Sequence, residues 1–309
     1  MLFSHRIFFR LKTYFSLSTT RLSRVTVIRT LRLCLLLFVL TNSSCNIINP
    51  SEQIPAYIHL DSASVNIISA GQGSGSQEIS DSWVYLHNQL QGVYEMPVTF
   101  PVLNEGTQEV VISAGIIENG VAATRKIYPF FYPDTFIVNL QPKETYTYHP
   151  TYKYRAATLF HFIQDFESGN NFEKVGGDTT MIRLDDSNVF EGGWCGYIKL
   201  DSAFVFSECK SSLTYPFTNN GNPVYLEMNY KCNQTFQVGV YSNTSSASVK
   251  FYQWNITTQT GWNKIYLNLT DVLATLAPNN YNILFKVEKD ASVETSEVFL
   301  DNIKLITLQ

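Results

Sequence analysis

The sequence predicts an all-β protein, two β-sandwiches in succession behind an export signal. Three observations carry this. Beyond residue 44 the chain consists of runs of about five to nine residues rich in Val, Ile, Tyr, Phe and Thr, set between clusters of Gly, Asn, Pro and Asp, the pattern of many short strands. Helical periodicity is nearly absent there. The first 44 residues are a different material: they hold seven basic residues (Arg6, Arg10, Lys12, Arg21, Arg24, Arg29, Arg32) and no acid, the first being Glu52.

Within this leader, Leu31–Leu40 is an apolar run of about ten residues, too short for a bilayer span and suited to the centre of a secretory signal. Thr41-Asn-Ser-Ser-Cys45 follows. Small residues ending in Cys resemble the lipobox of bacterial lipoproteins, with Asn42 departing from the usual aliphatic residue. The resemblance implies cleavage before Cys45, diacylation of that residue, and a mature chain held at the outer membrane by lipid; an uncleaved signal anchor is the other reading. Without the leader, 15 basic side chains stand against 26 acidic ones, a formal charge of −11 where the whole chain shows −4. With no stripe of Lys and Arg interleaved with aromatics, so acidic a chain argues against nucleic acid as a partner.

Residues 45–55 are polar, include Pro50 and Pro55, and read as a tether. Residues 56–149 form the first sandwich, with strands at 57–66, 83–87, 92–96, 109–113, 135–140 and 145–149 and a flexible loop at Gly71-Gln-Gly-Ser-Gly-Ser76. Pro142, Pro150 and the tyrosine-rich stretch 146–154 mark the boundary. Residues 150–309 form the second, with strands at 159–167, 181–184, 197–201, 224–231, 236–241, 249–253, 264–268, 281–288 and 298–306, spaced as two stacked sheets require, the first and last expected to pair. One short helix is predicted at 270–277, with Thr270 and Asp271 as capping side chains.

The segments Val84-Tyr-Leu-His-Asn-Gln-Leu-Gln-Gly-Val-Tyr-Glu-Met-Pro97, Leu103-Asn-Glu-Gly106 and Val110-Val-Ile-Ser-Ala-Gly115 resemble the immunoglobulin-like surface-layer sandwich called PEGA, which implies a spacer or interaction module. Phe166-Glu-Ser-Gly169, Gly261-Trp-Asn-Lys-Ile-Tyr-Leu-Asn-Leu269 and the closing strand with Asp301-Asn302 resemble, in that order, the jelly rolls of carbohydrate-binding modules. The layout, with Ile54-Pro-Ala-Tyr-Ile-His-Leu-Asp61 after the tether, is similar to a group of two-domain lipoproteins of Bacteroidetes.

The module resemblance implies a structural calcium ion where the first and last jelly-roll strands meet, held by Glu167 and Asp301 with Asp165 as a further ligand, since hard cations collect carboxylates and carbonyls. A plain turn or bulge at Asp301-Asn302 is the alternative. Sugar rings present apolar C–H faces that stack on aromatic side chains while polar groups meet their hydroxyls, and Tyr241, Tyr252, Trp254 and Trp194 are the candidate platforms. Alternation along Phe251-Tyr-Gln-Trp254 sets Tyr252 and Trp254 on one strand face, outward if Val249 and Phe251 point inward. Trp262 is read as structural.

Catalysis finds little support. His5, His59, His87, His149 and His161 are scattered, and no zinc-protease, nucleophile-elbow, phosphate-loop or dinucleotide motif occurs. Cys195, Cys209 and Cys232 lack the paired spacing of a zinc site and leave a disulfide or three buried thiols open. The expectation is a non-catalytic, lipid-anchored envelope protein that binds a glycan, or alternatively an assembly lipoprotein that docks on an outer-membrane protein through a flat apolar patch.

Overall fold

The computed structural model describes residues 23–42 and 52–309; Cys45, the expected lipidation site, lies outside the described residues. The chain divides into two units, Met1–Gln53 and Ile54–Gln309. In the first, helix α1 (Arg24–Asn42) opens on Ser23, whose hydroxyl accepts the Thr26 N–H, and leaves Val25, Val27, Ile28, Leu31, Leu33, Leu35 and Leu36 exposed. No described helix is long and apolar enough to cross a membrane.

The second unit is all-β, as the strand pattern predicts. Its first part comprises β1 (Ala56–Leu60), β2 (Ser64–Val65), β3 (Asp81–Leu86), β4 (Gln89–Glu95), β5 (Val98–Val102), β6 (Gly106–Ile117), β7 (Arg125–Ile127), β8 (Asp134–Leu140), β9 (Thr145–Tyr148) and β10 (Thr151–Tyr152). One layer is the sheet β5-β1-β9 with the pair β10-β2 beside it; the other is β4-β3-β6-β7, with β8 also paired to β6. β5 is missing from the sequence reading because Pro101 interrupts its pattern, and it occupies a sheet edge, where a residue without an N–H is tolerated. Ile58, Leu60, Val84, Leu86, Phe100, Val110 and Ile112 alternate inward to make the core.

The second part is a jelly roll of β11 (Thr158–Gln164), β12 (Phe172–Gly177), β13 (Ile182–Leu184), β14 (Cys195–Leu200), β15 (Phe206–Ser211), β16 (Tyr215–Pro216), β17 (Val224–Cys232), β18 (Phe236–Asn243), β19 (Ser248–Ile256), β20 (Gln259–Asn268), β21 (Asn280–Glu288) and β22 (Ser296–Leu308). The back sheet runs β13-β14-β22-β17-β20, with β11 also on β22; the front sheet runs β12-β15-β21-β18-β19, with β16 also on β21. The first and last strands pair, Thr158 opposite Leu308. Helix α2 (Thr270–Leu276) falls where predicted but has no side-chain cap: Leu269 precedes it, and the Thr270 hydroxyl accepts the Val224 N–H at 3.0 Å instead.

The back sheet is covered on both faces. Its inner residues Leu226, Met228, Ile265, Leu267, Leu300 and Leu305 meet the front sheet. Its outer residues Tyr225, Tyr266 and Ile306 join Tyr128, Phe130, Phe131, Tyr152 and Tyr154 of the first sandwich in one buried cluster. At its centre Glu227, 1% exposed, accepts hydrogen bonds from the Tyr128 and Tyr154 hydroxyls. Lys264 Nζ stands 2.8 Å from Glu227 Oε2, and fully buried Lys304 donates to the Ser74 carbonyl. That last contact corrects the expectation of a flexible loop at 71–76: the segment holds a turn at Ala70–Gln72 and is fastened by Lys304 and by Ser74 donating to Glu191. The two sandwiches therefore share a core within one compact unit.

Candidate functional site

With both faces of the back sheet covered, the front sheet supplies the jelly roll's open face. Strand alternation places Phe172, Cys209, Val238, Val240, Ile283 and Phe285 inside. The register sets the outward side chains in rows: Glu208, Lys286, Gln237 and Asn255 in one; Glu173, Lys210, Leu284, Gly239 and Tyr252 in the next; then Asn282, Tyr241 and Lys250.

Tyr252 lies along this face. Its hydroxyl donates to Glu208, three strands away, about 14 Å at ordinary strand spacing, which requires both side chains to lie down across the sheet. Opposite Tyr252, Gly239 lets the β19 backbone come close at the bulge: a Cβ there would come within 2.2 Å of the Phe251 carbonyl oxygen and 2.9 Å of the Tyr252 Cα. The buried Glu208 carboxylate also takes Lys250, and Lys286 Nζ stands 5.4 Å from the centre of the Tyr252 ring. Burial, then the Glu208 hydrogen bond, raises the Tyr252 pKa, so the phenol stays a neutral donor. Tyr241, in the neighbouring row, has Lys210 Nζ 5.8 Å from its ring centre. Each lysine is matched by a carboxylate, Lys210 with Glu173 at 2.6 Å, Lys286 with Glu288 at 2.7 Å and Lys250 with Glu208, so the face is polar and locally neutral. At one end it opens into a polar cleft of about 490 Å³ lined by Gln237, Asn255, Lys286 and Glu288.

Of the four aromatic candidates, the structure brings Tyr241 and Tyr252 together and places the other two elsewhere. Trp254 is a correction: it is 7% exposed in the jelly-roll core, with Nε1 donating to Asn119 Oδ1 at 3.1 Å. The register shifts between Val238 and Gly239, which face Trp254 and Tyr252 respectively, so Gln253 is an extra residue that turns Trp254 inward. Val249 and Phe251 remain exposed. Trp194 sits before β14, partly buried against the core, with one ring face covered by the Arg183 guanidinium carbon 4.0 Å from its centre. Trp262 packs on Phe190 and Phe299 in a small outer cluster, donating to the Asn188 carbonyl at 2.9 Å.

The residues expected to hold calcium lie near one another but are not assembled as a cage. Glu167 Oε1 accepts the N–H groups of Gly193 and Trp194 at 2.8 and 3.0 Å, and Asp165 accepts the Glu167 N–H at 3.1 Å. Asp301 accepts from Asn302 N at 2.7 Å and Glu191 N at 3.3 Å. The pairing of β17 with β22 slips between Glu227 and Asn229, and Asn302 is left-handed with φ +47, so Asp301-Asn302 forms a bulge. Among the described residues no three His, Cys, Asp or Glu are grouped to hold a metal ion; Asp165 and Glu167 line an open pocket with Glu191 and Asn302, and a carboxylate turned to a backbone N–H keeps further lone pairs. Burial, with Glu191 and Asp165 adding repulsion, pushes Asp301 up to about 7. Cys195, Cys209 and Cys232 are buried and unbonded, and burial raises the first two thiols to about 12.

Sequence reasoning missed Glu208, Lys250, Lys286 and Gly239. Alternation along β18 and β21 carries the signal for Gly239 and Lys286 alone, and only the register brings Glu208 of β15 and Lys250 of β19 to the same face.

No family model and no curated protein matches the chain. Among solved structures, the family 11 carbohydrate-binding module of a cellulosomal cellulase of Clostridium thermocellum is similar at 12% identity over 48% of this chain and 95% of that one, with a TM-score of 0.36. A family 29 carbohydrate-binding module matches at 15% identity over 50% and 89%, TM-score 0.31. The enzymatically active domain of tailspike protein 4 of bacteriophage CBA120 matches at 13% identity over 46% of this chain and 20% of the tailspike chain, TM-score 0.34.

Proposed function

We propose that the protein is a non-catalytic, lipid-anchored outer-membrane protein that binds a glycan on the open face of its jelly roll. The observation that carries the reading is Tyr252 laid flat beside Tyr241 on the open face, ringed by matched Lys and Glu pairs. Phenol faces take the C–H side of a pyranose, and the charged pairs and carboxamides take its hydroxyls without imposing a net charge. Cys45 would tether this surface to the membrane. Glycan-array screening of the full chain, repeated on Tyr252→Ala, tests the binding: the variant should keep its fold and lose its glycan signal, and a chain that binds no glycan would end the proposal. Palmitate labelling of Cys45→Ser tests the anchor, which predicts loss of label.

One observation favours the second reading, docking on an outer-membrane protein. The outward face of the β4-β3-β6 sheet carries Leu90, Val93 and Ile137, exposed at 48%, 40% and 72%, beside Trp83 and Tyr85. In that case Ile137→Lys, and not Tyr252→Ala, would disturb a cross-linked envelope complex.

A further inference from the structure

A second cleft, of about 340 Å³, lies between the two sandwiches and meets the end of the open face at Asn255, which lines both clefts. One wall is the β6–β7 hairpin. In the loop from Ile117 to Arg125, Val121 N–H returns to the Glu118 carbonyl at 3.2 Å, and Asn119 and Gly120 between them are left-handed, with φ of +57 and +69, closing a tight turn. Gly120 also packs close, a Cβ there falling 3.0 Å from Ile265. The turn presses Asn119 onto the jelly roll: its N–H donates to the Tyr266 carbonyl at 2.8 Å, and its Oδ1 accepts the Asn268 N–H at 2.8 Å and Trp254 Nε1 at 3.1 Å. The wall is thereby fixed to both halves, and the cleft is preformed.

We propose that this cleft is a separate binding site for a single sugar-sized molecule, rich in hydroxyls and uncharged or cationic. Its size and its position between two packed sandwiches are those of small-ligand sites. Ile256, Ile265 and the Tyr230 ring offer an apolar wall, and Thr257, Gln259 and Asn263 supply hydroxyl and carboxamide groups. Asn263 donates to the Tyr230 hydroxyl at 3.3 Å, and both line the cleft. Lys264, at the back, is matched by Glu227 at 2.8 Å, whereas Glu78, at the rim, takes part in none of the eight ion pairs of the described residues. The uncompensated charge is a carboxylate, which repels anionic sugars and attracts an ammonium group.

Calorimetric titration of the full chain with glucosamine, methyl glucoside and glucuronate tests this. Glucosamine should bind most tightly, methyl glucoside more weakly and glucuronate at least tenfold more weakly than glucosamine. Val121→Trp, at a position 51% exposed on the rim, fills the cleft without disturbing the core and should abolish binding; Glu78→Gln should erase the preference for glucosamine. The same titrations on Tyr252→Ala, which disables the open face, isolate the cleft and should keep the order of the three sugars. In that background, absence of binding by all three sugars or binding that survives Val121→Trp would overturn the assignment.

Discussion

Replacing Glu227 by Gln removes one charge and almost no volume from the seam between the sandwiches. Burial alone would raise this carboxyl, but the charges of Lys264 and Lys304 and the hydrogen bonds to it outweigh burial and hold it at about 2, against 4.5 for a free glutamate. The folded state therefore favours the anion. The resulting stability is fully present above pH 4.5 and is lost as pH falls toward 2; the difference of roughly 2.5 units corresponds to about 3 kcal/mol at pH 7. Gln still accepts from Tyr128 and Tyr154, so the substitution isolates the charge. It also strands two ammonium groups, Lys264 with its side chain 1% exposed and Lys304 wholly buried, and breaking a buried pair in this way costs about 3–5 kcal/mol. For a chain of this size that is a fall of about 10 °C in thermal midpoint. Circular dichroism melts at pH 7 and pH 3 measure it, and the gap between variant and wild type should shrink to less than half at the lower pH. A midpoint within about 2 °C of wild type at pH 7 would refute the claim that this charge holds the seam.

Asp301 carries the opposite sign. Its folded value of about 7 lies above 3.8, so folding disfavours its anion; the penalty is absent below pH 3.8, grows through the window to pH 7 and is complete above it. Asp301→Asn should therefore be more stable than wild type by about 2–4 kcal/mol in urea unfolding at pH 8 and equal to it near pH 4; a wild type stabilised by added calcium would instead put a cation on Asp301. Trp254→Phe should lose about 1–2 kcal/mol with its hydrogen bond to Asn119, and glycan binding at the open face should persist; selective loss of binding in a fully stable variant would return Trp254 to the site. Cys195, Cys209 and Cys232 should resist a thiol reagent at pH 8 until the chain is unfolded, while exposed Cys34 reacts; rapid labelling of any of those three in the native protein, located by peptide mapping, would contradict their burial.

Much of the fold was legible because period-two alternation and turn residues report local structure. Runs such as Val224–Lys231 and Tyr281–Glu288 fell within one residue of their strands. What stayed hidden were features set by pairing. The inserted Gln253 reverses the direction of Trp254, a one-residue effect that only the partner strand reveals. β15, with Glu208 between Ser207 and Cys209, has no loud pattern because its outward side chains are charged. Glycines at 71, 73 and 75 suggested freedom, yet Lys304, more than two hundred residues later, fastens the segment. Tyr241 and Tyr252 could be named from residue type; the Glu208 carboxylate that takes the Tyr252 hydroxyl and the lysines beside the two rings could not.

The position of β22 governs how the jelly roll can be built. This final strand lies inside its sheet, bonded along its length to β11, β14 and β17. Until it is in place, three strands lack their common neighbour and the Lys304 anchor for both sandwiches is missing. A nascent chain ending before residue 296 leaves β11, β14 and β17 without the strand they share, so the back sheet closes only once residues 296–308 are available.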